Sequence, residues 1–500
     1  MKVKYDKFFE DLKKDGSLSR FGKTFKSDSN YYFFDSGTGK VLECEKSEYD
    51  VLKQLTENNS TDFSDLLMDS NEIEKAIDNI VAAIDNENIF KAEPIVRFYG
   101  GHFENLNSLI LQNIQQIIFE VTEDCNLRCK YCIYHEENDK FRVFGKKYMD
   151  IDIAYKALDY VLENSYMPDL YVGFYGGEPL LNFEFIKKCV NYVLLNNNGK
   201  EITFSMTTNE TLITKEIAEY FASIPNFTIT VSIDGDEEIH NENRVFSGGR
   251  GSFKATLNGI KNLKEAYGKE KQYCISLSSV ISPPYTKEKF DRIQDFYIKN
   301  CQGMQSNITY VEKPYDKNRV SNKSQLLEDR MPLLLWDKGR NSLERRQSFT
   351  SGANLSALSR IHKRSITHEP NKIVSLNGCC IPGMRRLYVD VEGNFLPCER
   401  VGKSPYIGNV NTGLDFDSIE KYYVNDYVEK SLPDCSQCWA VPLCGLCYSH
   451  CYTEEGIDIE RKRQACDDHR YSMMQHLIYY HELMKIDPEF INDLNNVEVV

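Results

Sequence analysis

Three cysteines at the spacing Cys125-Asn126-Leu127-Arg128-Cys129-Lys130-Tyr131-Cys132 follow the apolar run Ile117-Ile118-Phe119-Glu120-Val121, so three thiols leave a predicted strand together. A thiolate is a soft ligand suited to iron–sulfur clusters, zinc or copper(I). A four-iron cluster held by three cysteines keeps one iron without a protein ligand, and that iron can bind a small molecule. Structural zinc is instead usually closed by four ligands that arrive as two close pairs.

Sixteen cysteines in 500 residues, with no apolar signal-type segment at the amino terminus, point to metal or redox chemistry more than to disulfides. Cys44, Cys189, Cys274 and Cys301 are scattered through apolar patterns and read as small buried hydrophobes. A second concentration begins at Cys379-Cys380. Cys380 precedes a strand-like run, Arg386 to Val391, then the turn Glu392-Gly393-Asn394 and Pro397-Cys398, a hairpin that would return both thiols to one end. Cys435, Cys438, Cys444, Cys447, Cys451 and Cys466 follow. One or two zinc ribbons are an alternative use of the same thiols.

The first motif, with Tyr131 just before Cys132, resembles the cluster motif of radical S-adenosylmethionine (SAM) enzymes. Further elements arrive in the order that family requires. Gly176-Gly177-Glu178-Pro179 closes the strand-like run Leu170 to Tyr175, Thr207-Thr208-Asn209 follows Ile202 to Met206, and Ser232-Ile233-Asp234-Gly235 follows Thr228 to Val231, with His240 and Arg244 beyond. Singly these read as a turn, a helix cap and a loop. The resemblance implies that Cys125, Cys129 and Cys132 hold a SAM-binding [4Fe-4S] cluster. It also implies that Tyr131, Gly176, Gly177, Glu178, Pro179, Thr208, Asn209, Ser232 and Arg244 surround S-adenosyl-L-methionine.

The second field resembles the SPASM extension of that family, which implies two auxiliary [4Fe-4S] clusters. The matching positions are Cys380, Cys398 and either Cys447 or Cys451 for the first, and Cys435, Cys438, Cys444 and Cys466 for the second. The family usually has three residues between the Cys444 position and the next ligand, whereas Cys447 follows after two and Cys451 after six, so both stay open. With no cysteine shortly upstream of Cys379, the first auxiliary cluster is left with three protein ligands and an iron open to a substrate thiolate.

These sites must sit on a scaffold. Residues 115–312 alternate β-prone runs with amphipathic helices in six βα-type repeats, and the motif residues fall at the carboxyl ends of strands. The expected fold is α/β, and the resemblance gives it the form of a partial (β/α)6 TIM-like barrel. Residues 1–92 read as a winged-helix-like unit, a hairpin over Tyr31–Phe34 and Lys40–Glu43, a helix capped by Ser47, and helices over 63–68 and 73–84. This unit resembles the leader-recognition element of enzymes that modify ribosomally made peptides. Residues 93–114 read as a linker and 313–378 as an insert; 379–470 form the cysteine-rich extension and 471–500 a helical tail. Within the insert, 338–364 is rich in Lys and Arg with Glu344 as the sole acid, a pattern expected of a solvated helical face or mobile insert, with a contact for an acidic partner as the alternative.

A net charge of −15 argues against nonspecific binding to nucleic acid or an anionic membrane. No segment reaches the roughly 20 apolar residues that span a bilayer, so the sequence leads to a cytoplasmic protein. The resemblance implies a peptide maturase that forms a Cys thioether in a ribosomally made, cysteine-rich precursor bearing a leader, with flavodoxin or ferredoxin as electron donor. Glu399, next to Cys398, is the expected base for the thiol proton. Formylglycine formation, carbon–carbon crosslinking and epimerisation are the alternatives within this chemistry; a zinc-stapled scaffold is the alternative outside it.

Overall fold

The computed structural model describes residues 6–28, 30–301, 303–311 and 333–497. Its first sheet is antiparallel, with β1 Gly22–Lys26, β2 Tyr31–Asp35 and β3 Val41–Cys44 in that spatial order. The expected hairpin is present, Phe34 opposite Val41, and β1 adds a strand on the other side of β2. Successive strand side chains point to opposite faces. Phe33 accordingly packs with Phe9, Phe21 and the helices Lys46–Thr56 and Ser70–Glu87, while Tyr32 and Phe34 pack against Trp439, Met473 and Leu477. Burial on both faces explains the unbroken aromatic run of β2, and it ties this unit to the carboxyl-terminal helix.

Two local expectations change. The helix Lys46–Thr56 is capped by a reciprocal Glu45–Glu48 box rather than by Ser47. Residues 63–68 form turns rather than a helix. There the Ser60 and Asp62 side chains accept hydrogen bonds from the backbone N–H of Asp62 and Ser64, local bonds that compete with helix formation.

Six parallel strands form the centre: β4 Gln116–Thr122, β5 Asp169–Gly176, β6 Glu201–Thr208, β7 Phe227–Ser232, β8 Ile275–Ile281 and β9 Gln305–Tyr310, paired in sequence order. The expected helices are present as Ile151–Asn164, Phe183–Asn196, Lys215–Ser223, Phe253–Tyr267 and Lys287–Cys301. A short helix, Glu237–Asn243, adds to them after β7. Phe204, Met206, Ile229, Val231, Ile275 and Leu277 join the main core. The alternate positions, Thr203, Ser205, Thr207, Thr230, Ser232, Ser276 and Ser278, are half-buried, so the opposite face of the sheet is lined with hydroxyls.

The sheet does not end at β4. The predicted hairpin forms as β10 Arg386–Val389 and β11 Asn394–Leu396, turning at Gly393 with φ +87°, a left-handed value that favours glycine. β10 pairs in parallel with β4, Arg386 opposite Gln116 and Val389 opposite Phe119, and β12 Gly408–Asn409 and β13 Gly413–Leu414 extend the same sheet to ten strands. The second cysteine field is therefore built onto the strand that delivers the first. One helix, Ile459–Ile486, runs without a break through the expected boundary at residue 470. No helix among the described residues is long and apolar enough to cross a membrane.

The basic segment 338–364 is not a solvated face, because its charges are engaged within the chain. Lys338 pairs with Asp28 and Glu482, Arg346 with Asp493, and Arg364 donates to the Gly39 carbonyl. Arg345 is 1 % exposed between Asp337 and Asp487, and Asp337 also accepts from Thr350 and Tyr479. A run of like charge does not reveal partners distant in sequence. Removing one member of such a buried set leaves the others uncompensated, so Arg345→Met should destabilise the chain by about 3–5 kcal/mol. Chemical denaturation followed by circular dichroism measures this, and Lys254→Met, at an 86 % exposed side chain, should be near neutral.

Candidate active site and thiol groups

The loop after β4 is fixed from two sides. Arg128 N–H donates to the Val245 carbonyl (2.7 Å) and Lys130 N–H to that of Asn243 (3.0 Å). On the other side, Gly177 and Glu178 donate their N–H groups to Thr122 and Asp124 carbonyls at 2.8 Å. A Cβ at Gly177 would lie 2.0 Å from the Asp124 carbonyl oxygen, so this glycine lets the end of β5 close on the cysteine loop. Cys125, Cys129 and Cys132 are brought together, each thiol pushed up by burial, Cys125 to about 12 and Cys129 to about 11, with the neighbouring thiols adding to the effect at these two. Ligands to a metal must be deprotonated, so loading this group releases protons.

Several of the other residues expected around the cofactor pack on the same loop or on each other. The Asn209 carboxamide donates to Cys125 Sγ (3.8 Å) and Asn126 Oδ1 (2.9 Å). Glu178, buried at 1 %, accepts from Thr208 Oγ1 (2.7 Å), Asn209 N (2.8 Å) and Leu180 N (3.1 Å), while Pro179 opens the short helix that follows. Arg244 pairs with Asp234 at 3.1 Å, and its guanidinium lies over the Tyr131 ring, whose hydroxyl bonds Asp234. Asp234 is the hinge of that set and was legible beside Ser232, which sits at the end of β7 on the hydroxyl face. Gly176, with φ +120°, packs on the Thr122 carbonyl.

Cys435, Cys438, Cys444 and Cys466 lie within one another's electrostatic range; burial pushes Cys435 up to about 11 and Cys444 to about 12. Lys462 was not anticipated: its ammonium lies 3.6 Å from Cys435 Sγ and 3.8 Å from Cys466 Sγ. Burial opposes that charge, but the surrounding thiols outweigh it and hold the ammonium above its ordinary range. The four-residue interval between Lys462 and Cys466 on a helix was the available signal.

Cys398 faces Cys447, whose thiol is lowered because His450 and Ser449 outweigh the effect of burial. Cys451 is 1 % exposed and lies in the core near Cys447, Cys466 and Lys462. Cys380 is exposed, whereas Cys379 is buried beside Cys447, Cys451 and Cys444. The structure thus brings Cys379 rather than Cys380 among these thiols.

Glu399 follows Cys398 just beyond β11. Its Oε1 accepts from Arg386 at 2.9 Å, and Oε2 is buried without a hydrogen-bond partner among the described residues. Tyr175 lies within electrostatic range of both Glu399 and Cys132. Arg142 and Glu120 pair on the same side of β4, at 2.5 Å, a pair with no sequence signature.

Three- and four-thiol groups with buried cationic neighbours are a donor set suited to anionic iron–sulfur clusters. Among the described residues, no three or more His, Cys, Asp or Glu side chains are already arranged to hold a single metal ion. A four-iron cluster is a larger body than one ion, and its thiols stand farther apart. The buried carboxylate of Glu178 supplies a test of this site without any ligand. Burial raises it from 4.5 to about 7, so its contribution to stability is complete below about pH 4.5 and is lost as pH rises through about 7. The chain's denaturation midpoint should fall between pH 5 and pH 8, and Glu178→Gln should flatten that dependence.

Comparison with known proteins bears on these sites. Residues 119–297 match the Radical SAM superfamily. A serine-type anaerobic sulfatase-maturating enzyme of Bacteroides thetaiotaomicron is 34% identical over 142 residues, 28% of this chain and 34% of that one. In the local matches of highest identity, the chain spans half or less of the relatives' own length. The radical SAM cyclopropyl synthase TigE of Paramaledivibacter caminithermalis is 24% identical over 471 residues, 90% of this chain and 93% of that one. The structure described as native anSMEcpe with bound AdoMet and Cp18Cys peptide has the same fold, with a TM-score of 0.55 at 18% identity over 77% of this chain and all of that one. Residues 119–297, with the strand ends and thiol loop described above, form a radical SAM domain.

Proposed function

We propose that this chain is a peptide maturase that forms a thioether between a cysteine sulfur and a carbon of another residue in a ribosomally made precursor. The observation that carries the reading is Glu399, a carboxylate next to Cys398 with one oxygen held by Arg386 and the other buried and without a hydrogen-bond partner among the described residues. When bound, the first cluster and S-adenosylmethionine supply a 5′-deoxyadenosyl radical that takes a hydrogen atom, and auxiliary clusters supply an acceptor for the electron left over.

The chain's own residues do the rest. Cys125, Cys129 and Cys132 hold the first cluster; Gly176, Gly177, Thr208, Asn209, Ser232 and Arg244 line the place of the cofactor, with Glu178 bracing Thr208 and Asn209. Cys398 and Cys447 would hold an auxiliary cluster beside Glu399, with Cys379 or Cys451 as the third ligand, and Cys435, Cys438, Cys444 and Cys466 would hold the other. Glu399 Oε2 accepts the proton of the substrate thiol, while the pairing of Oε1 with Arg386 keeps the carboxylate in place. The hydroxyls of β6, β7 and β8 offer hydrogen bonds to a peptide backbone without adding charge. The amino-terminal unit grips the leader, and a reduced flavodoxin or ferredoxin supplies the electron.

The near full-length similarity to a cyclopropyl synthase favours a second reading, carbon–carbon bond formation in a peptide. The sulfatase-maturating relative keeps formylglycine formation as a third. Glu399→Gln separates these. Under the thioether reading, the variant still cleaves S-adenosylmethionine to 5′-deoxyadenosine but loses crosslinked product by about 10²–10⁴-fold, the usual contribution of a positioned base. Unchanged crosslinking, read by mass spectrometry of the co-expressed precursor, removes Glu399 from the chemistry. A product that leaves every cysteine alkylatable favours the carbon–carbon reading.

A further inference from the structure

Lys462 is a charge without a carboxylate. Its side chain is buried at 3 % exposure, and its hydrogen-bond partners are Cys435 Sγ at 3.6 Å and Cys466 Sγ at 3.8 Å, with the Tyr427 ring 5.6 Å away. Among the described residues no Asp or Glu forms an ion pair with it. A buried ammonium is costly unless an anion compensates it, and a neutral thiol is only a weak acceptor. Thiolates on a metal would supply that charge, as the reading of Cys435, Cys438, Cys444 and Cys466 as cluster ligands has it.

We propose that Lys462 is a positioning residue for the cluster of Cys435, Cys438, Cys444 and Cys466, whose ammonium raises the reduction potential of that cluster. The inference rests on the reading of these thiols as iron–sulfur ligands. One added electron makes such a cluster more negative, so a fixed cation donating to two ligand sulfurs stabilises the reduced form more than the oxidised form. Arg470 provides an internal comparison. Its guanidinium is 3.9 Å from Cys438 Sγ, but it is paired with Asp467 and its side chain is 36% exposed, so its charge is largely offset.

The test uses the full chain with Cys125, Cys129 and Cys132 replaced by Ala, so that the first cluster does not contribute, reconstituted anaerobically with iron and sulfide. Iron, sulfide and zinc are counted, and midpoints are read by redox titration followed by electron paramagnetic resonance. Lys462→Met should shift one midpoint to a more negative value, Lys462→Arg should restore most of it, and Arg470→Met should shift it less. Loss of a cluster in Lys462→Met with retention in Lys462→Arg also supports compensation by charge. A cluster retained in Lys462→Met with its midpoint unmoved overturns the inference, as does loss from both variants, which would make shape rather than charge the requirement. A parent chain that takes up zinc, or no auxiliary iron, instead overturns the reading of the thiols, and the metal count distinguishes that failure.

Discussion

The parallel pairing of β10 with β4 is the constraint on which the arrangement depends. β4 ends in the loop of Cys125, Cys129 and Cys132, and β10 opens the hairpin that ends in Cys398 and Glu399. Because the two strands share a ladder, with Arg386 beside Gln116, the two thiol fields have a fixed relation that no flexible linker could provide. Parallel ladders are stable when buried on both faces. Here one face packs against helices, and the other carries hydroxyls and a few paired charges.

Those charges occur in matched sets along the inner face: Glu120 with Arg142, Asp234 with Arg244, Glu399 with Arg386. Each holds a side chain in one place near the cysteine loop or Cys398. Glu399 departs from the pattern, because only one of its oxygens is engaged among the described residues. A buried acceptor left without a donor carries a cost, which a partner arriving with a ligand would relieve. The cysteine-rich part uses the same economy of charge, with Lys462 set among thiols rather than carboxylates.

Much of this was legible because the signals are local. The strand ends carrying Gly176-Gly177, Thr208-Asn209 and Ser232, and the turn at Gly393, follow from short runs of residue types that fix backbone geometry. What was not legible depends on contacts distant in sequence. Nothing near Arg386 announces that β10 pairs with β4, and the basic run around Arg345 looks solvent-facing until Asp487 closes on it. Cys379 and Cys380 differ by one residue, and which of them faces inward is a matter of phase that spacing does not settle. The turn at 63–68 was misread because Ser60 and Asp62 bond to the backbone where apolar spacing suggested a helix.

The central claim is that the two thiol fields hold iron–sulfur clusters serving radical chemistry on one peptide. Its most direct measurement is anaerobic reconstitution with iron and sulfide, with iron and zinc counted and 5′-deoxyadenosine assayed after addition of S-adenosylmethionine and reductant. The account predicts about twelve irons per chain, three clusters of four on the ligand sets described, with 5′-deoxyadenosine formed and no stoichiometric zinc. Zinc in place of iron, with no cleavage of S-adenosylmethionine, would contradict it.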